Sequence, residues 1–226
     1  MISEDAKMIN DLNIKTAALP ANPNVKQTGD NNVYVNNQSG GEINFNITIP
    51  SDNTGSEFER MLAVDSFSQN YYQLIVTADS HGFRNGIVSI PADAALSQDL
   101  VPNEILSRCS SLTTSGISEL KTFPAIICME NTDYNGKTDP NQPALYGYIR
   151  EITKAGPNIQ ISFGMIGTFN QYILCDKDNG FGLNMSCAIT DLNRCAWSVY
   201  NINLFEAFTV AGLSHLPYPN NYGGTK

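Results

Sequence analysis

The chain has 226 residues, of which 42% are apolar and only 15% charged, and it carries a formal net charge of −9 at pH 7. That length can bury one sizeable core without disulfide or metal staples. An acidic surface whose 13 Lys and Arg residues are scattered repels phosphate backbones, which excludes a general nucleic-acid binder.

Residues 1–15 place Ile2, Met8, Ile9, Leu12 and Ile14 among polar neighbours and predict a short helix. They lack the apolar core and small-residue cleavage site of a signal peptide. Residues 16–28, with Pro20 and Pro23, read as a linker. A strand pattern follows. Ile43, Phe45, Ile47 and Ile49 alternate with Glu42, Asn44, Asn46 and Thr48, and Val33 and Val35 supply a shorter partner strand. The period predicts a β-hairpin arm over 31–49 that presents one apolar face. A lone two-stranded hairpin is marginal in water, so that face needs cover from a domain or another chain.

The next segment, SDNTGSEFERML, predicts a helix beginning near Ser56, with Phe58, Met61 and Leu62 at helical spacing. YYQLIVTA (71–78) reads as a buried strand, HGFRNG (81–86) as a turn and IVSIP (87–91) as the returning strand of a second hairpin. VPNEILSRC (101–109), with Pro102 suited to a first turn, and residues 115–122 predict two helices. AIICME (125–130) is a strand, and residues 131–143 form a long polar loop. LYGYIREI (145–152) and NIQISFGMI (158–166) make a third hairpin around KAGP. Residues 168–175 read as helical, 176–182 as a loop, and LNRCAWSVY (192–200) as a strand. Asn203 caps a final helix that Gly212 closes, and a polar tail begins at Pro217.

Metal chemistry has little to work with here. The two histidines, His81 and His215, are far apart in sequence, and no CxxC or HExxH occurs. Asp176 and Asp178 imitate the start of a calcium loop, but Gly180 and Cys187 stand where the pattern needs other residues. No GxSxG or phosphate-binding loop is present, and no cofactor signature is found. The five cysteines, several inside apolar runs, predict free thiols in a reducing cytosol.

Two clusters remain as candidate sites. Glu130, at a strand end, with Asp133, Lys137 and Asp139 on the following loop, offers acid–base or cation-binding chemistry, and Tyr134 adds a flat apolar face. The plainer reading is that Asn131, Asp133, Asn135 and Gly136 supply turn geometry. Arg194 and Trp197 pair a guanidinium with an indole, which suits anion binding or stacking, although the single Trp of a domain also serves as a core anchor.

Four segments, LKTFPAIICMEN (120–131), GKTD (136–139), LYGYIREI (145–152) and LNRCAWSVYNINLFEAFTVAGL (192–213), together resemble an uncharacterised bacterial domain family. They cover about the last hundred residues. The His-Trp pair common in that family is interrupted here by Ala196 before Trp197, so an enzymatic role for that histidine does not carry over. The Asn/Gly-rich arm resembles linkers of bacterial conflict-system proteins, including accessory subunits of three-component ABC-ATPase systems. The resemblances imply an intracellular accessory or sensor protein of an antiviral defence-like system.

The expected architecture is therefore α+β. An N-terminal part (1–55) carries the helix, linker and hairpin arm. A globular domain (56–216) is built on antiparallel hairpins packed with short helices, and a polar tail (217–226) follows. The expected function is a non-enzymatic accessory, sensor or scaffold protein of the cytoplasm. It assembles with a protein partner or with itself through residues 29–50, with Val33, Val35, Ile43, Phe45, Ile47 and Ile49 at the contact. Two alternatives stay open: a small hydrolase using Glu130, Asp133 and Asp139, and a phage or other structural assembly protein.

Overall fold

Six strands form one mixed sheet in the order β2-β5-β4-β3-β1-β6. The computed structural model describes residues 55–219. The expected N-terminal helix, linker and hairpin arm, with the contact residues from Val33 to Ile49, lie outside the described residues, as does the tail from residue 220.

The strands are β1 (Tyr72–Thr77), β2 (Ile87–Pro91), β3 (Ala125–Met129), β4 (Pro143–Ala155), β5 (Asn158–Asn170) and β6 (Ala196–Tyr200). Only β1 and β3 run parallel, with Ile75 opposite Ile127; every other pairing is antiparallel. All six residues of β1 are buried, which a strand covered on both faces requires. The fold is α+β.

The helices are α1 (Glu57–Ser66), α2 (Ser80–Asn85), α3 (Asn103–Cys109), α4 (Thr114–Leu120) and α5 (Leu204–Val210). One face of the sheet packs on α1, α5 and the irregular stretch between β5 and β6, burying Tyr72, Leu74, Tyr146, Phe169, Phe205 and Phe208. The other packs on α2, α3 and α4, burying Ile75, Phe83, Ile105, Leu120, Ile127, Ile161 and Trp197. Ser56 caps α1 by accepting from the Glu59 N–H at 3.1 Å, and Asn203 caps α5 by accepting from the Phe205 N–H at 3.1 Å.

Several local readings are corrected. HGFRNG is helical rather than a hairpin turn. The Asp79 carboxylate accepts from the His81 and Gly82 N–H groups, and Gly86 closes α2 in the left-handed region at φ 76°. A helix between β1 and β2 separates them, so β2 pairs with β5 at one edge of the sheet instead of folding back on β1. Residues 168–170 continue β5, and a 3₁₀ turn, Gln171–Cys175, begins only afterwards. The stretch 192–200 opens with another 3₁₀ turn, Asp191–Asn193, and becomes strand at Ala196. Pro102 sits at the cap position of α3 rather than in its first turn.

The hairpin around KAGP is longer than its apolar pattern, running the full length of β4 and β5 with two register shifts. Among the described residues no helix is long and apolar enough to cross a membrane.

Candidate functional site

The loop after β3 is a folded structure with its own hydrogen bonds. The Glu130 N–H donates to Thr77 O at 2.9 Å, which continues the parallel β1–β3 pairing for one more step. Asn135 (φ 61°) and Gly136 (φ 69°) are both left-handed, and the Lys137 N–H donates to Tyr134 O at 3.4 Å. Two successive positive φ values make the turn of mirror-image type I, which Asn-Gly favours. The Asp139 carboxylate accepts from the Asn141 N–H at 2.8 Å and closes a second local turn. Asp133 contributes its carbonyl, which accepts from Asn193 Nδ2 at 2.7 Å.

Tyr134, Asp133, Lys137 and Asp139 are exposed, and Glu130 is half-buried. Among the described residues no hydrogen bond or ion pair joins Glu130, Asp133, Lys137 and Asp139 to one another. Glu130 instead lies by Cys195, whose thiol is pushed up by burial first and by the Glu130 charge to a lesser degree.

A buried amide network, missed in the sequence, anchors this loop to the segment before β6. Asn131 and Gln171 are both buried, and Gln171 Nε2 donates to Asn131 Oδ1 and to Met129 O, each at 2.8 Å. Gln142 Nε2 donates to the same Met129 carbonyl at 2.9 Å. The Asn131 N–H donates to Leu192 O at 2.7 Å, and Asn193 Nδ2 donates to Asn131 O at 3.1 Å. The network is only partly satisfied: Asn131 Nδ2 and Gln171 Oε1 are buried with no hydrogen-bond partner among the described residues, a condition that costs about 1–3 kcal/mol for each group. Network and turns together hold residues 130–143 against residues 190–193.

That placement positions the segment that carries Asp191 and Arg194. Asp191, just upstream, accepts from the Asn184 N–H at 2.7 Å and from the Tyr200 hydroxyl at 2.8 Å, both on Oδ2. Its Oδ1 stands 3.9 Å from an Arg194 guanidinium nitrogen. The Arg194 side chain is 55% exposed while that of Asp191 is 12% exposed, so the acid is fixed and the guanidinium is open to solvent. Burial, with Asp191 next, pushes the Tyr200 hydroxyl far above its ordinary range, so it stays protonated and donating.

These groups line a cleft of about 560 Å³ at the outer edge of β6. Its other wall is Leu100, Val101 and Pro102, with Asp99 beside them. The size falls among small-ligand and peptide sites. Gly182 belongs to the same lining, and a Cβ there would collide with Ile202.

Trp197 is not part of the cleft. It is fully buried in the core beneath α2–α4, and its Nε1 donates to Gln73 Oε1 at 3.0 Å. The expected pairing of Arg194 with an accessible indole is thus corrected: Trp197 is the core anchor, its indole wholly buried and its N–H taken by Gln73, while Arg194 precedes β6 and is exposed.

A second surface feature lies on α1. Val64 faces the core, whereas Phe58, Met61 and Leu62 are 68%, 59% and 56% exposed. Their i, i+3, i+4 spacing makes one apolar stripe. Beside it a depression of about 430 Å³ is lined by Met61, Val64, Ile166 and Pro217, with Glu57 and Arg60 among the charged residues around it.

Among the described residues no group of His, Cys, Asp and Glu could hold a metal ion. All five cysteines stand unpaired. No family model matches the chain, and no curated protein and no solved structure is similar to it.

Proposed function

We propose that the protein is a non-enzymatic accessory or scaffold protein of the cytoplasm that works by protein–protein assembly, with its N-terminal arm as the assembling element. The observation that carries this reading is the exposed stripe of Phe58, Met61 and Leu62 on α1. Singly exposed apolar residues are ordinary, but three at helical spacing form a contiguous patch of the kind that marks interaction surfaces. The stripe begins a few residues after the alternating apolar pattern that ends at Ile49. In this reading both segments, neighbours in sequence, contact a partner or a second copy. The resemblance of residues 120–213 to an uncharacterised bacterial domain family, and of the arm to linkers of bacterial conflict-system proteins, is the ground for placing the protein in a defence-like system. The hydrolase alternative loses ground because Asp139 serves a local turn and no hydrogen bond gathers the carboxylates of the loop.

Light scattering on the full chain tests the proposal. Phe45→Asp with Ile47→Asp, and separately Phe58→Asp with Leu62→Asp, are expected to lower the assembly mass while circular dichroism stays unchanged. A folded monomer before and after both changes would overturn it.

A further inference from the structure

We infer that the cleft at the outer edge of β6 is a binding site for the free C-terminal carboxylate of an extended peptide. This goes beyond the assembly reading and stands whether or not the arm holds copies together. The first ground is the chemistry of the lining. Arg194 is the one cation among the cleft residues, and its planar fork suits bidentate pairing with a carboxylate. The nearest Asp191 oxygen stands 3.9 Å from the guanidinium, too long for a strong hydrogen bond, so its donors remain available. Asp191 has its Oδ2 occupied by Tyr200 and by the Asn184 N–H, and it is held in place.

The second ground is backbone geometry. The Val199 N–H points away from β1 and donates to Leu100 O at 3.1 Å. In an extended residue the N–H and C=O point to the same edge, so the Val199 carbonyl is directed to the edge that Leu100 shares with the cleft, and in the proposed complex it accepts a peptide N–H. Leu100, Val101 and Pro102 then form an apolar wall for the last side chain of the ligand. Charge decides between ligand classes. One arginine stands with Asp99 and Asp191 in a chain of net charge −9, which disfavours a doubly charged phosphate and tolerates a single carboxylate.

The test uses the full chain, isotope-labelled for amide NMR. It is titrated with a pool of N-acetyl tetrapeptides ending in Val, Leu, Ile or Phe with a free carboxylate, and separately with the same pool amidated at the C-terminus. The free-acid pool is expected to move the amides of Asn184, Val199 and Asn201, and the amidated pool to bind at least about tenfold more weakly, as loss of a charge-assisted pair predicts. Arg194→Gln, at an exposed position, is expected to abolish the preference for the free acid, and Arg194→Lys to restore part of it. Equal response to both pools, shifts confined to other surfaces, or an unchanged preference in Arg194→Gln would each overturn the assignment. Tighter binding of inorganic phosphate than of the free-acid pool, at the same residues, would also overturn it.

Discussion

One face of the sheet is filled by aromatic side chains, among them Phe67, Tyr72, Tyr146, Phe169, Phe205 and Phe208, and the other mainly by aliphatic ones such as Ile75, Val88, Ile90, Ile105, Ile127 and Ile161. The difference follows what covers each face. Three regular helices, α2, α3 and α4, lie over the aliphatic side, and helices satisfy their own backbone groups. The aromatic side is covered by α1, α5 and a long irregular stretch between β5 and β6, and the carbonyls of that stretch need outside donors. Tyrosine supplies both needs, a large apolar ring and a hydroxyl at its tip. The Tyr72 hydroxyl donates to Phe181 O at 2.6 Å, and the Tyr146 hydroxyl donates to Pro217 O at 2.9 Å. The segment that builds the β6 cleft is therefore tethered to the core by side chains rather than by secondary structure.

The strongest way to break this contrast is to empty the aromatic face. Phe208 meets Tyr146, Phe169 and Phe181 edge-on, with ring centroids 5.1, 5.8 and 6.2 Å away. Phe208→Ala is expected to cost about 3–5 kcal/mol in urea unfolding. A loss below about 1 kcal/mol would mean that this face collapses around the gap and is not closely packed.

Removing only the tether sharpens the comparison. Tyr72→Phe keeps the ring, which stacks on Tyr200 at 5.1 Å, but leaves the buried Phe181 carbonyl without its donor. The expected cost is about 1–3 kcal/mol. Hydrogen exchange should rise in the segment around Phe181 more than in α2–α4. A uniform rise would show that the tether acts on the whole core.

The smallest effect belongs to the aliphatic face and appears at alkaline pH. Burial, reinforced by the neighbouring Glu119 carboxylate, pushes the Cys109 thiol up to about 11. An unfolded thiol ionises near about 8.5. The unfolded chain then loses its proton first, so the stability present below about 8.5 is lost as pH rises toward the folded value. Cys109→Ala is expected to flatten this limb of the stability curve, measured as melting temperature against pH. An unchanged slope would assign the alkaline loss to other groups.

Local signals were legible where an element depends on near neighbours. The hairpin over β4 and β5 followed from two apolar runs around KAGP, and α5 from Asn203 and Gly212, because turn and cap chemistry acts over a few residues. The helix α2 is not legible in HGFRNG alone, because Asp79, which caps it, lies before that segment. The pairing of β2 with β5 depends on contacts across much of the chain and leaves no mark within β2. The site divides in the same manner. Arg194 was visible as a charge beside an aromatic strand. Asp191, Tyr200 and the wall from Leu100 to Pro102 meet it only once β6 lies beside residues 94–100. Gln73 offered one faint signal, a polar residue inside YYQLIVTA. It is satisfied by donating to Leu120 O at 2.8 Å and Phe123 O at 3.0 Å while accepting from Trp197.

The position of β1 between β3 and β6 bears on how the chain acquires its structure during synthesis. One edge of β1 finds its partner when β3 emerges, but the other must wait for β6, and the Trp197–Gln73 bond spans 124 residues. Until then an unshielded edge, Gln73-Leu74-Ile75-Val76-Thr77, stays open to any passing strand. Pairings of such long range fold slowly and leave partly formed molecules prone to aggregate. A ribosome-bound chain halted before β6 would therefore be the species that most needs chaperone protection.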